Sequence, residues 1–317
     1  MVSTETAAAP GTAAATGPPP RATGRRRPPG EWLWGYLMIA PMAFGLVVFF
    51  LWPIVQTLYL SFTESGVFGG STWVGLANFA GLAGDEKMLG ALGNTGLYAA
   101  LVLAGVPLAI VVAALLNVRG LRGLGFYRTL YFLPVVTMPA AVGLTWRYLF
   151  NGDFGLINHL LGELGIDGPY WVGDPDTAVY AVAIVGVWTS LGYNAVLFLA
   201  GLQGIPRHYY EAAEIDGAGR LRQFFSITLP LLTPTTFFVT VITVINALQV
   251  FDLVYLMVEP ESPALAGSRT IVYLFYEQGF VQHSRGYAAA IAVVLLGLIL
   301  VLTAVQFRLQ KRWVHYG

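Results

Sequence analysis

The 317-residue chain is 56% hydrophobic and only 11% charged, and its seventeen basic and seventeen acidic residues give a formal net charge of zero. A soluble domain carries about 25% charged residues, so the composition excludes an ordinary soluble fold and points to a chain whose solvent is a bilayer. The absence of cysteine excludes a disulfide framework and a thiolate metal centre.

Residues 1–30 are rich in Ala, Thr, Pro and Gly and carry Arg25-Arg26-Arg27 near their end. They hold no apolar core of the kind a signal peptide needs, and their composition predicts a disordered tail, with the membrane domain over 31–317. Six apolar stretches follow, at 33–60, 93–117, 127–149, 178–203, 230–257 and 287–308. Each is long enough for the ~20 helical residues that cross a bilayer. The first and fifth are long enough to require tilt or a wet end. Pro41, Pro53, Pro107, Pro134, Pro139 and Pro234 fall within these stretches. Simple kinking is the plainer expectation for each. A break survives in lipid only where neighbouring helices or a cavity satisfy the freed backbone groups.

The fourth stretch carries Trp188, Thr189, Ser190, Tyr193 and Asn194 around its centre, and the fifth adds Asn246 and Gln249. Hydroxyl and amide groups match the hydroxyls of a sugar, and an aromatic face packs on the apolar face of its ring. The same residue types also serve as polar links between helices, so both readings stand.

Between these stretches lies the polar segment 204–229. Pro206 suits the first turn of a helix, residues 207–216 favour helix, and Gly217 and Gly219 supply an exit. A second short helix is expected to run into Leu229-Pro230. The product is a short helix across one face of the membrane, thin at Ala212 and Ala213, with Glu211 offering a charge to a basic partner. Its fixed pattern is Glu211-Ala212-Ala213, three residues, Gly217, nine residues, Ile227, one residue, Leu229-Pro230, with Asp216 and Ala218 on either side of Gly217.

Charge sets the orientation. The tail, the loops near 118–128 and 204–229 and the end at 309–317 gather Arg21, Arg25, Arg26, Arg27, Arg119, Arg122, Arg128, Arg207, Arg220, Arg222, Arg308, Lys311 and Arg312. The other side keeps Lys87, Arg147, Arg269 and Arg285 and collects acids such as Asp85, Glu86, Asp153, Glu163 and Asp174. The positive-inside rule puts both termini and segment 204–229 in the cytoplasm.

The pattern from Glu211 to Pro230 resembles the cytoplasmic coupling loop of bacterial ABC importer permeases. Phe126-Tyr127-Arg128 through Leu133-Pro134, Trp146 through Asn151 with Gly155 and Asn158, Phe251-Asp252-Leu253-Val254-Tyr255, Gly286-Tyr287-Ala288-Ala289-Ala290 and Gln306-Phe307-Arg308 extend the likeness over about 33–312. They are similar to the carbohydrate branch, of the maltose, glycerol-phosphate and lactose permease type. That resemblance implies an all-α fold of the type I ABC importer permease with six transmembrane helices and a cytoplasmic coupling helix. It implies a multi-pass subunit of the cell inner (cytoplasmic) membrane that moves a sugar delivered by an extracytoplasmic binding protein. It implies as partners a second homologous permease, two ABC ATPase subunits and membrane lipid, with no nucleic acid. Glu211, Ala212, Ala213, Asp216, Gly217, Ala218, Ile227, Leu229 and Pro230 then couple to the ATPase. Trp188, Ser190, Tyr193, Asn194, Asn246 and Gln249 are the candidates for the sugar. Two departures stand out. Val258-Glu259-Pro260-Glu261-Ser262-Pro263 replaces the usual Thr-x-Gly-Gly-Pro, and the extra N-terminal spans and external domain of the maltose permease are missing.

No Gly-x-x-x-x-Gly-Lys-Ser/Thr loop exists in the chain, so ATP and Mg belong to the partner ATPase and no cofactor is expected here. His159, His208, His283 and His315 form no zinc motif, and no Gly-x-Ser-x-Gly turn occurs. An enzyme is therefore disfavoured. Arg147 and Asp252 sit near predicted outer ends, and the span interiors carry no Asp, Glu, Lys, Arg or His, unlike the usual ion-coupled carrier. With no cation at mid-span to hold an anion, a neutral sugar is expected over a phosphorylated one. The alternatives are an ABC importer for another small solute, such as an amino acid or polyamine, and an ion-coupled secondary carrier.

Overall fold

The computed structural model describes residues 31–65, 70–118 and 122–313. The tail at 1–30, Arg119 and His315 lie outside the described residues. The chain divides into two compact units, Met1–Pro53 and Ile54–Gly317.

In the first unit, α1 (Glu31–Leu46) runs through Pro41 and passes into a π-turn at Val47–Leu51. The π-turn has an identifiable cause. Pro53 has no N–H, and its ring crowds the carbonyl four residues back; one residue earlier, the Trp52 N–H bonds the carbonyl of Val47, a one-turn widening of the helix. α2 (Trp52–Leu60) continues the helical run, so the first predicted span is Trp32–Leu60.

The second unit begins within α2, at Ile54, and continues with a small antiparallel hairpin, β1 (Thr63–Ser65) against β2 (Ser71–Trp73), with Thr63 opposite Trp73. Asn78, on α3 (Ala77–Gly84), fastens it by donating to the carbonyls of Ser61 and Thr63, both at 2.9 Å. α4 (Glu86–Leu116) is opened by Asp85, whose carboxylate accepts from the Lys87 N–H at 2.8 Å. An acceptor at this position satisfies one of the orphan donors of a helix start. α4 absorbs Pro107 without a break.

The third predicted span is not one helix. α5 (Leu124–Val136) and α6 (Pro139–Leu149) meet at 98°. The residue before a proline avoids the helical region, and Met138 sits at φ −59°, ψ 127°. Thr137 closes α5: its N–H and its Oγ1 both donate to the Leu133 carbonyl, at 3.1 and 2.6 Å. α7 (Leu156–Glu163) follows in a loop built on Asn158. The Asn158 amide donates to the carbonyls of Gly152 and Pro169, and its oxygen accepts from Trp171 Nε1 at 2.8 Å. α8 (Pro175–Gln203) is the fourth span.

The fifth span is also corrected. The loop helix α9 (His208–Ile215) precedes it. The short helices α10 (Arg220–Gln223) and α11 (Leu229–Leu231), joined by a π-turn at Phe224–Thr228, meet α12 (Thr233–Leu248) at 65°. α12 stops at Leu248 instead of running to 257, and α13 (Asp252–Met257) is separate. The stop is held by a tertiary bond, since Thr270 Oγ1 donates to the Val250 carbonyl at 2.9 Å. α14 (Ala264–Ser268), α15 (Ile271–Tyr276) and α16 (Arg285–Trp313) complete the chain. With each bent pair taken as one span, the described residues contain six, and the protein is an all-α membrane protein.

α4 and α8 form the centre of the second unit, burying Ala109, Ala113, Ala181, Val185 and Phe198. Small residues set their spacing: a Cβ on Gly105 would come 2.9 Å from Val187, and one on Gly186 would strike the Tyr98 hydroxyl. Such close approach is how helices gain packing energy where lipid already solvates apolar surface. Polar links add to it. Thr95 Oγ1 accepts from the Ile271 N–H at 3.0 Å, and Asn94 donates to the carbonyls of Ala266 and Arg269.

Candidate functional site

Two sites emerge in the second unit. The first is a cavity of about 440 Å³ between α5, α6, α8, α12 and α13. Both helix irregularities face it. The break between α5 and α6 contributes Pro134, Val135, Thr137 and Pro139, and the stop of α12 contributes Gln249, Val250, Phe251 and Asp252. Backbone that leaves the helical ladder at membrane depth is tolerated where it lines a cavity, which accounts for the location of both.

Five of the six residues read from the sequence as sugar candidates meet here: Ser190, Tyr193, Asn194, Asn246 and Gln249. Trp188 is not among the lining. Its ring stands edge-on to Trp146 at 5.5 Å, and Trp146 in turn stacks on Phe150, so it packs between helices. Ser190 Oγ and Thr189 Oγ1 donate to their own helix, at the carbonyls of Val187 and Gly186, both at 3.1 Å. That leaves hydroxyl lone pairs free to accept. Asn194 Nδ2 reaches Thr243 Oγ1 at 3.4 Å, both buried. Thr243, Tyr98 and Thr137 also line the cavity. They are single hydroxyls in apolar runs, and residue type alone does not separate them from links between helices. The signal for Thr137 was Pro139, two residues on. Among the lining residues there is one carboxylate, Asp252, and no Lys, Arg or His.

The second site is the segment 204–229. Pro206 does not open the helix as expected. Arg207 is the N-cap and α9 starts at His208. Its exit is a two-bond cap: the Ala218 N–H bonds the Ala213 carbonyl at 2.8 Å and the Gly217 N–H bonds the Glu214 carbonyl at 3.0 Å. This closure needs a left-handed residue after the helix, and Gly217 has φ +74°. Gly219, expected to share the exit, is extended and instead caps α10. Gln223 Nε2 donates to the Ala218 carbonyl at 2.9 Å, and the Tyr210 hydroxyl lies 2.9 Å from Thr228 Oγ1. α9 is thereby fixed to the short helices that lead into α12.

Burial divides the loop pattern in two. Ile227, Leu229 and Pro230 are half-buried, with Leu229 packed near Leu202, Ile205 and Leu232. Glu211, Ala212, Asp216 and Gly217 are exposed, and Ala213 and Ala218 are partly so. Around them Ile215 is 88% exposed, Leu221 77% and Phe225 64%. Apolar side chains grouped on a surface beside unpaired acids are characteristic of a face that meets another protein.

Residues 25–315 match the protein family described as the binding-protein-dependent transport system inner membrane component. The chain is 39% identical over 287 residues to the sn-glycerol-3-phosphate transport system permease protein UgpA of Agrobacterium fabrum, covering 89% of this chain and 96% of that one. It is 38% identical over 289 residues to the probable ABC transporter permease protein YesP of Bacillus subtilis, covering 89% and 92%. Among solved structures, a chain of a bacterial ABC transporter involved in the import of the acidic polysaccharide alginate has the same fold. It superposes with a TM-score of 0.78 at 24% identity, over 90% of this chain and 96% of that chain.

Proposed function

The chain belongs to the binding-protein-dependent transport system inner membrane component family, and on that premise we propose that it is the permease subunit of an ATP-driven importer that translocates a sugar. The observation that carries the proposal is the segment 204–229: a helix locked at its exit by Gly217, anchored by Tyr210 and Gln223, with Glu211, Ile215, Leu221 and Phe225 left exposed. Two ATPase subunits holding ATP and Mg supply the energy, one of them seated on α9. A second permease completes the path, and an extracytoplasmic binding protein delivers the solute. The basic loops support a cytoplasmic position for α9 and both termini.

Coupling follows from connectivity. Closure of the ATPase dimer pushes α9. The Tyr210–Thr228 and Gln223–Ala218 bonds carry the displacement into α10 and α11, and the bend before α12 passes it to Thr243, Asn246 and Gln249 at the cavity. Within the cavity, amide and hydroxyl groups on α8 and α12 hold a polyhydroxylated solute, and the apolar remainder keeps water out. The chain itself performs no chemistry.

The experiment is affinity purification of the tagged chain from its own membranes in mild detergent, with mass spectrometry of what accompanies it. The expected companions are an ABC ATPase and a second permease of similar length. Recovery of the chain alone, active as an ATP-independent carrier after reconstitution, would overturn the proposal.

A further inference from the structure

We propose that Asp252 is the charge selector of the cavity, admitting uncharged or cationic polyhydroxylated solutes and turning away anions. The inference deepens the sugar reading above, on which its choice of solute class rests. Asp252 is the first residue of α13, where α12 has stopped and the backbone turns at the cavity wall. Its carboxylate is exposed and lines the cavity, and among the described residues it has neither a hydrogen-bond partner nor an ion-pair partner.

The neighbouring charges do not offset it. Among the described residues, no Lys, Arg or His lines the cavity. Arg147, at the end of α6, is paired with Glu259, and Arg269 is paired with Glu277 at 3.1 Å. Glu259 lies in the segment Val258–Pro263 that follows α13. A basic side chain that could have received an anion is thus already matched. The cavity presents one unmatched negative charge among amides, hydroxyls and apolar groups.

A carboxylate in such a wall does two things. It accepts charge-assisted hydrogen bonds from neighbouring hydroxyls of a sugar, about twice as strong as those between neutral groups. It also repels an anion with an energy that grows as water is displaced from around the pair. A phosphate ester or a carboxylate is an anion, and a cavity of this charge disfavours it. Discrimination of this kind is built from a repulsive element as much as from an attractive one.

The natural absence of cysteine permits a test that needs no knowledge of the solute. Ser190→Cys, a one-atom change at the cavity wall, is introduced into the full chain within the assembled importer in membrane vesicles. The rates of its modification by the cationic reagent 2-(trimethylammonium)ethyl methanethiosulfonate and the anionic reagent 2-sulfonatoethyl methanethiosulfonate are measured by mass spectrometry of this chain. Each is normalised to the reagent's rate with a free small thiol. The cation is expected to react faster by roughly tenfold, a ratio set by one nearby unit charge in a medium between water and protein. Asp252→Asn is expected to bring the ratio close to one, and Asp252→Glu to retain it, a contrast that a merely structural role would not produce. An unchanged ratio in Asp252→Asn, or no modification of Ser190→Cys by either reagent with and without nucleotide, overturns the proposal. Labelling does not depend on transport, so the selector stands or falls here. The carbohydrate reading is tested separately by uptake of a panel of neutral saccharides.

Discussion

At the scale of single residues, Gly217 ties local backbone chemistry to function. Its φ of +74° is a conformation that costs a residue with a Cβ roughly 1–2 kcal/mol and that proline cannot adopt at all. Gly217→Pro is expected to abolish uptake while leaving the amount of chain in the membrane unchanged by immunoblot. Gly217→Asn, which tolerates the left-handed region, is expected to retain most of it. Glu211→Lys is expected to behave like Gly217→Pro for a different reason, reversing a charge that a basic partner would meet; normal uptake in that variant would remove Glu211 from the coupling surface. In the cavity, Asn246→Ala and Gln249→Ala should each raise the half-saturating solute concentration by about tenfold, the worth of one good hydrogen bond. Trp188→Phe should leave it unchanged and lower thermal stability, because Trp188 packs edge-on against Trp146, a contact worth about 1 kcal/mol. Gly217 was legible in the sequence because a left-handed exit has few residue types to choose from. The packing of Trp188 was not, since residue type says that an indole is present near a site but not which way it turns.

At the scale of elements, hydropathy gave six stretches, and among the described residues four correspond to single long helices and two to bent helix pairs. The apolar stretch carries on past Thr137-Met138-Pro139, and past Asn246, Gln249 and Asp252 into Leu253-Val254-Tyr255, yet α5 and α6 meet at 98° and α12 stops at Leu248. Hydropathy measures the solvent of the side chains, whereas these breaks are decided by the backbone: a residue ahead of proline in one case, and the Thr270 bond to Val250 in the other. Both interruptions line the cavity, which explains why the polar candidates Asn246 and Gln249 fall where they do. The loop helices were legible for the opposite reason, since their starts and stops depend on local chemistry. Tyr210→Phe tests whether α9 and α10–α12 move as one body. Removing its bond to Thr228 should cost about 1 kcal/mol and speed amide exchange over 208–218 several-fold, with α4 and α8 unaffected. Unchanged exchange there would mean that the Gln223 bond to the Ala218 carbonyl and the apolar contacts around Leu229 suffice to hold the loop.

At the scale of the whole molecule, composition pointed to a membrane protein, charge sidedness to its orientation and the loop pattern to an importer permease, and family membership agrees on the membrane permease. What no single-chain pattern conveyed was the charge of the cavity. Asp252 reads in the sequence as an acid near the end of a span, and only the stop of α12 brings it to the cavity wall. The central proposal is that displacement of α9 by an ATPase drives solute movement through this chain. The direct measurement is solute uptake into proteoliposomes holding this chain, its second permease, the ATPase and the binding protein, with wild-type chain and with Glu211→Lys, alongside ATP hydrolysis. Uptake is expected to require ATP, to survive an ionophore and to be lost in Glu211→Lys. Uptake that proceeds without ATP and collapses with the ionophore, or that is indifferent to Glu211→Lys, would contradict that coupling.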